Sequence, residues 1–70
     1  MQDDDIAVYL MLNEPAFDAG GRRYSVCYVN GTFCTLDPDG SSSDFPDIAS
    51  LLDNWIVDGR PFRQTVHSLL

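Results

Sequence analysis

The sequence predicts an α+β fold in which a three- to four-stranded, mostly antiparallel sheet carries one main helix packed on one face. The dipeptide Asn30-Gly31 separates two runs rich in β-branched and aromatic residues, which indicates a β-hairpin. Farther along, apolar residues recur at helical spacing from Ile48 onward. Residues 1–70 make one small domain, and 44% of them are hydrophobic, which is typical of a folded chain.

The first predicted element is a strand over residues 5–12. Its apolar residues alternate and leave both faces apolar, so we expect it to lie centrally in the sheet or to contact a partner with one face. Residues 13–21 then form a connection, punctuated by Pro15 and Gly20-Gly21 and long enough for one helical turn. The two faces of the strand carry Ile6, Val8, Leu10 and Leu12 on one side and Ala7, Tyr9 and Met11 on the other.

The central element is a hairpin over residues 24–36. A two-residue type I′ turn at Asn30-Gly31 sets the register of its two strands. Arg22 and Arg23 open the first of these strands, and in so acidic a chain we expect them to pair with Asp residues. The expected cross-strand pairs are Val29 with Thr32, Tyr28 with Phe33, Cys27 with Cys34, and Val26 with Thr35.

The facing cysteines allow two interpretations. Directly opposed residues have Cα atoms about 4.5–5.5 Å apart, which a disulfide accepts. Reduced thiols buried in the core are the alternative and suit a cytosolic protein. Because the chain has two Cys and a single His, His67, one chain cannot build a Cys₄ or Cys₂His₂ zinc site, and we expect no cofactor.

Residues 37–44 predict a turn and loop, because Asp, Pro, Gly and Ser dominate them. Their Asp and Ser oxygens suit calcium, but the spacing does not match an EF-hand loop. Counted from Asp37, Ser42 takes the position of the required Gly and Ile48 that of the bidentate Glu. We therefore expect no metal here.

A helix is predicted next. Asp44 is its expected N-cap, Pro46 fits its first turn, and Gly59 and Pro61 end it. Its apolar stripe is expected to pack on one face of the sheet, with Trp55 as the anchor. The stripe consists of Ile48, Leu51, Leu52, Trp55 and Ile56, and the polar side of Asp47, Ser50, Asp53, Asn54 and Asp58.

The last segment predicts a fourth strand at an edge of the sheet. Phe62, Gln64 and Val66 alternate with their neighbours as in a strand, and Pro61 favours an edge position. The alternative is a frayed tail over residues 60–70. The predicted order is therefore three strands, the helix and an optional last strand.

Charge distinguishes this sequence more than any motif does. Eleven acidic residues against four basic ones give a net charge of −7, and every basic residue is Arg. Such a chain repels nucleic acid and anionic membranes and attracts basic protein surfaces, although solubility alone also explains a charge of this size. No apolar run approaches the ~18 residues of a membrane span, and the acidic residues 3–5 are unlike a signal peptide, so we expect a cytoplasmic protein.

No residue pattern predicts catalysis. His67 has no partner nearby in the sequence, and Ser41, Ser42 and Ser43 lie in a loop without a base. We therefore expect a binding protein and not an enzyme. Its candidate partner-binding residues are Asp3, Asp4 and Asp5 at the start, Asp37, Asp39, Asp44 and Asp47 at the loop and helix start, and Asp53 and Asp58 along the helix.

In length, acidity, α+β pattern and lack of catalytic residues, the whole chain resembles the small phage-encoded anti-CRISPR proteins that mimic DNA. The resemblance lies in this profile and not in a shared motif. It implies binding to a basic DNA-recognition surface of a Cas effector complex, for which we expect type I. Apart from the resemblance, we expect a monomer, and the negative charge predicts that the chain itself binds no nucleic acid.

Three other functions stay open. An immunity protein or antitoxin that neutralises a basic toxin has the same acidity. A protein-interaction module is the second, since residues 24–55 resemble the later half of an SH2 domain in hairpin, loop and helix, without the strand that carries its phosphate-binding Arg. The third is a homodimer that associates through an exposed patch of Tyr9, Met11, Tyr24, Tyr28 and Phe33.

Overall fold

The computed structural model describes residues 2–69 and confirms the α+β class. Met1 and Leu70 lie outside the described residues, and Leu70 is the last residue of the predicted final segment. In chain order the described elements are α1 (Asp3–Asn13), β1 (Ala16–Ala19), β2 (Arg22–Val29), β3 (Thr32–Leu36), β4 (Ser42–Phe45), α2 (Ile48–Asn54), β5 (Ile56–Val57), β6 (Arg60–Pro61) and α3 (Phe62–Leu69).

The predicted hairpin is confirmed, with its register. β2 and β3 pair antiparallel, and all of the predicted cross-strand pairs are in place. Asn30 and Gly31 have φ values of 52° and 79°, the positive values that a type I′ turn requires. Arg23 pairs with Asp18 as expected, whereas Arg22 forms no ion pair within residues 2–69.

The hairpin is the centre of a four-stranded antiparallel sheet in the order β1-β2-β3-β4. Both outer strands lie where the sequence predicted loops. β1 occupies part of the predicted connection and joins β2 through Gly20 and Gly21, whose φ values are also positive. β4 occupies the end of the predicted loop and pairs with β3. Another pair of strands, β5 and β6, forms a separate small sheet.

The predicted strand over residues 5–12 is wrong, because this segment belongs to helix α1. Three Asp residues fill its first turn, where carboxylates interact favourably with the positive end of the helix dipole. The backbone N–H of Gln2 donates to the Asp5 carboxylate at 3.1 Å. Ile6 and Leu10, one helical turn apart, are buried. Apolar residues on all sides of the helix produced the apparent alternation of a strand.

The predicted helix exists as α2 but is shorter, and its predicted cap is wrong. Asp47 is the N-cap, since its carboxylate accepts the backbone N–H of Ser50 at 2.8 Å. Asp44 lies in β4 instead. The helix ends at Asn54, and the chain then turns into β5, so Ile56 leaves the helical stripe and is exposed.

The predicted last strand is wrong as well, because residues 62–69 form helix α3. Phe62 and Val66 are buried and Leu69 is half-buried, which is helical spacing. A strand would place Gln64 on the same face as Phe62 and Val66, but Gln64 is exposed. Pro61 directly precedes the helix, and a residue without a backbone N–H is compatible with a helix start.

The helices cover one face of the four-stranded sheet. Along β1, β2 and β3, buried residues alternate with more exposed ones, and the buried residues meet the helices in one core. Trp55 is 3% exposed and packs edge-on against Phe17 of β1 and Tyr24 of β2, with ring centroids 5.9 Å apart in both pairs, which confirms it as an anchor on the sheet. The core consists of Ile6, Leu10, Phe17, Ala19, Tyr24, Val26, Phe33, Leu51, Leu52, Trp55, Val57, Phe62 and Val66.

The other face of this sheet, here called the open face, is not covered by any other element of residues 2–69. It carries Asp18, Arg23, Ser25, Cys27, Thr32, Cys34, Leu36 and Asp44, all exposed or half-buried. The predicted dimer patch is therefore wrong in part, since Tyr24 and Phe33 point into the core. Within residues 2–69, no helix has the length and apolar character needed to cross a membrane.

Candidate functional site

The sheet ends on one side in β4, and acidic residues surround this strand. Asp37 and Asp39 lie in the loop before it, Asp44 within it, and Asp47 just after it at the start of α2. We call these residues the acidic edge. Residues 42–44 are exposed, and β4 pairs with β3 on one side only. The structure thus places the loop and helix-start residues of the sequence prediction along one border of the fold.

The loop of the acidic edge is held by its own hydrogen bonds. The backbone N–H and the hydroxyl of Ser41 both donate to Asp39 Oδ1, at 3.0 and 2.6 Å. The backbone N–H of Asp37 donates to the Ser41 carbonyl at 2.8 Å. Asp37 Oδ1 also accepts the indole N–H of buried Trp55 at 2.9 Å. This last bond ties the loop to the core, so both carboxylates have defined positions.

Two carboxylates of the acidic edge are stabilised in the charged form. The hydroxyl and backbone N–H of Ser41 lower the pKa of Asp39. The backbone N–H and hydroxyl of Ser50 lower the pKa of Asp47. Hydrogen bonds to a carboxylate favour ionisation, so these two groups stay charged to a lower pH than an ordinary Asp side chain.

The acidic residues at the start of α1 are partly neutralised. Arg63 of α3 donates from Nη1 and Nη2 to both carboxylate oxygens of Asp3, at 2.9 and 3.2 Å, and from Nε to Asp53 at 2.5 Å. Asp3, followed by Asp53, raises the pKa of Arg63. This cluster therefore offers a partner less charge than the sequence implies, and Asp4 and Asp5 are the exposed carboxylates that remain there.

The prediction that Asp58 lies beside other candidate residues on the helix is wrong. A shared helix face of Asp47, Asp53 and Asp58 is wrong, because α2 ends at Asn54. Asp58 occupies the turn between β5 and β6, and its backbone N–H donates to the hydroxyl of Tyr24 at 3.2 Å. Its carboxylate lies against Gly20, where a Cβ atom would collide with it.

Helix α1 presents an exposed surface that the sequence analysis placed on a strand. Val8, Tyr9 and Leu12 lie on its outer side and are 50%, 41% and 78% exposed. We call them the apolar ridge. Asp4 and Asp5 precede the ridge by one helical turn, which brings charge beside it. An acidic first turn before an apolar run is the sequence signal that indicates such a helix.

The described residues contain no arrangement typical of a catalytic or metal site. A cavity of about 290 Å³ opens near Asp18, Asp58, Arg60 and Thr65, which is at the small end of the range for ligand pockets. Among residues 2–69, no group of three or more His, Cys, Asp and Glu could hold a metal ion. His67 is exposed on α3, with no hydrogen bond from its side chain in this part of the chain.

Comparison with known proteins identifies no relative, since no protein-family model, curated protein or solved structure matches this chain. The resemblance to anti-CRISPR proteins therefore stays a prediction. The features of this chain that bear on function are the charge and geometry of the acidic edge and of the apolar ridge.

Proposed function

We propose that this chain is a small acidic inhibitor of the anti-CRISPR kind, which binds a basic nucleic-acid-binding surface of a type I Cas effector complex in the cytoplasm and blocks DNA binding by charge mimicry. The observation that carries the proposal is the acidic edge. Asp37, Asp39, Asp44 and Asp47 lie within one segment of the chain, and none of them forms an ion pair with an Arg within residues 2–69.

Charge mimicry needs carboxylates in defined positions as well as a negative total. Duplex DNA presents one charge per ~1.7 Å of its axis, so a DNA-binding groove holds Lys and Arg side chains at close spacing. Bonds to Trp55, Ser41 and Ser50 hold Asp37, Asp39 and Asp47 in place. Because these side chains are ordered before binding, little conformational entropy is lost when a partner engages them.

The direct test uses a purified type I Cas effector complex and a labelled target duplex. We expect the chain to reduce the fraction of duplex bound as its concentration rises. The inhibition should weaken when salt is raised from about 0.05 to 0.3 M, because charge-driven binding between exposed groups is screened. Unchanged duplex binding at a large excess of the chain would contradict the proposal for this effector.

A pair of matched variants tests the acidic edge itself. Asp39→Asn with Asp44→Asn removes two carboxylates and keeps side-chain shape, whereas Gln64→Lys with Ser68→Lys adds two positive charges on exposed positions of α3. Both variants change the net charge from −7 to −5. We expect inhibition by the edge variant to weaken about tenfold, as for two exposed charge contacts, and the α3 variant to stay within about twofold. Equal weakening of both would mean that net charge, and not the edge, is recognised.

The apolar ridge favours a second candidate, a neutraliser or interaction module that binds without nucleic-acid mimicry. Leu12 is 78% exposed, and apolar side chains so placed on a helix are typical of helix-in-groove recognition. A tagged chain used as bait in cells that carry a CRISPR–Cas system separates the two candidates. Capture of a Cas subunit that DNA competes away supports mimicry. Capture of a basic toxin that withstands salt and is lost with Leu12→Ser supports the second candidate.

A further inference from the structure

The two cysteines lie side by side on the open face of the sheet. Cys27 in β2 is directly opposite Cys34 in β3, and both are half-buried and free. Neither belongs to the core or packs against it. The expectation of two core thiols is therefore wrong, because the helices cover the opposite face. Core packing therefore does not explain why the two thiols face each other across the hairpin.

The hairpin places the two thiols within reach of one covalent bond. The two-residue turn makes Val29 and Thr32 a hydrogen-bonded pair, and the alternation along antiparallel strands makes Cys27 and Cys34 the next pair of this kind. Cα atoms of such pairs are about 5.5 Å apart, in the middle of the range that disulfides occupy. Both side chains point to the same side of the sheet. The Cβ atoms of a hydrogen-bonded pair are about 5.5 Å apart and those of a disulfide about 3.5–4.5 Å, so the two strands must approach each other locally when the bond closes.

Asp44, on the neighbouring strand β4, extends the cross-strand pair of Cys27 and Cys34 by one residue. It is the cross-strand partner of Cys34 in β4. Partial burial, followed by the Asp44 carboxylate and the Cys27 thiol, raises the pKa of Cys34 to about 11. Cys34 thus keeps its proton near neutral pH, beside a carboxylate that can accept a hydrogen bond from it.

We propose that Cys27 and Cys34 are a redox-active dithiol that closes a reversible cross-strand disulfide on the open face. The oxidant is a small-molecule disulfide. The Cys27 thiolate attacks one of its sulfurs and releases one thiolate, which leaves a mixed disulfide on Cys27. Cys34 then loses its proton to water and attacks the Cys27 sulfur, which breaks the mixed disulfide and releases the second thiolate. Two protons leave the chain, and two electrons reduce the oxidant to two thiols.

The proposal does not depend on the proposed function. The bridge would close a loop of residues 27–34 and join the two central strands of the sheet. A disulfide compatible with the native fold restricts the unfolded chain and so stabilises the folded one. It would also remove the Cys34 thiol from beside Asp44, which is the member of the acidic edge that lies on the open face.

The test incubates the purified, folded chain with buffers of oxidised and reduced glutathione at several ratios. We expect the intact mass to fall by about 2 Da, with both thiols lost to titration, and full reversal by dithiothreitol. The oxidised chain should stay monomeric and melt at least ~5 °C higher than the reduced chain. Cys27→Ser and Cys34→Ser are the controls, and each should gain only a glutathione adduct of about 305 Da.

Other results would overturn the proposal. A stable glutathione adduct on the native wild-type chain would show that Cys34 cannot reach Cys27. A disulfide-linked dimer would show that the thiols pair between molecules. An internal bridge that lowers the melting temperature would show that the native hairpin does not accommodate it.

Discussion

Trp55 links the core of this protein to its acidic edge. Its ring packs against Phe17, Tyr24 and Phe62, and its indole N–H donates to Asp37. We predict that Trp55→Ala lowers the free energy of unfolding by about 3–5 kcal/mol, as the loss of a buried aromatic side chain does. Urea unfolding followed by circular dichroism measures this. Trp55→Phe should cost less, because it keeps a ring in the core and loses the bond to Asp37. Equal stability of Trp55→Ala and the wild type would contradict the packing.

At the scale of single elements, α2 depends on its cap because it has only seven residues. Asp47 accepts the Ser50 backbone N–H at the first turn. We predict that Asp47→Ala lowers the melting temperature by a few degrees, since it removes the acceptor. Asp47→Asn keeps an acceptor oxygen and should stay close to the wild type. If both variants melt alike, the helix start does not rely on this hydrogen bond.

At the scale of the whole molecule, the hydrogen-bonded carboxylates predict lower stability in acid. The pKa values of Asp39 and Asp47 lie below the usual 3.8 in the folded state. As pH falls, the unfolded chain therefore binds protons first, and this stabilisation is complete above about pH 4 and is lost as pH falls through the lowered pKa values. Urea midpoints between pH 7 and pH 2 measure the decline. Asp39→Asn with Asp47→Asn should flatten it, and an unchanged slope would contradict the assignment.

The Cys34 thiol predicts a second loss of stability in alkali. Its pKa is raised from 9.0 to about 11, so the unfolded chain releases the proton first as pH rises. The stabilisation is complete below pH 9.0 and is lost between pH 9.0 and about 11. Urea midpoints of the reduced chain in this window should fall less for Cys34→Ser than for the wild type. Parallel curves for the two proteins would contradict the prediction.

Local sequence by itself determined the central hairpin, its register and Trp55 as a core residue. A type I′ turn needs positive φ angles at two residues only, here Asn30 and Gly31, and a two-residue turn sets which residues of the two strands pair. The same chemistry was present at Gly20-Gly21 and at Asp58-Gly59, which also have positive φ values. From sequence alone these two turns predict a connection and a helix end, because the strands beside them are short and carry little alternation.

The tertiary structure alone decided whether the two apolar ends of the chain became strands or helices. Over so few residues, the apolar patterns of α1 and α3 fit both the two-residue period of a strand and the 3.6-residue period of a helix. Which of the two structures forms depends on which side chains a neighbouring surface of the fold can bury. It also decided the candidate site. The nine predicted carboxylates were known from composition, but pairing with Arg63 removed Asp3 and Asp53 from the free charge. Asp37, Asp39, Asp44 and Asp47 are neighbours in the sequence, but only the pairing of β4 with β3 places their segment at the border of the sheet, because whether a short polar segment becomes a strand depends on the strand beside it.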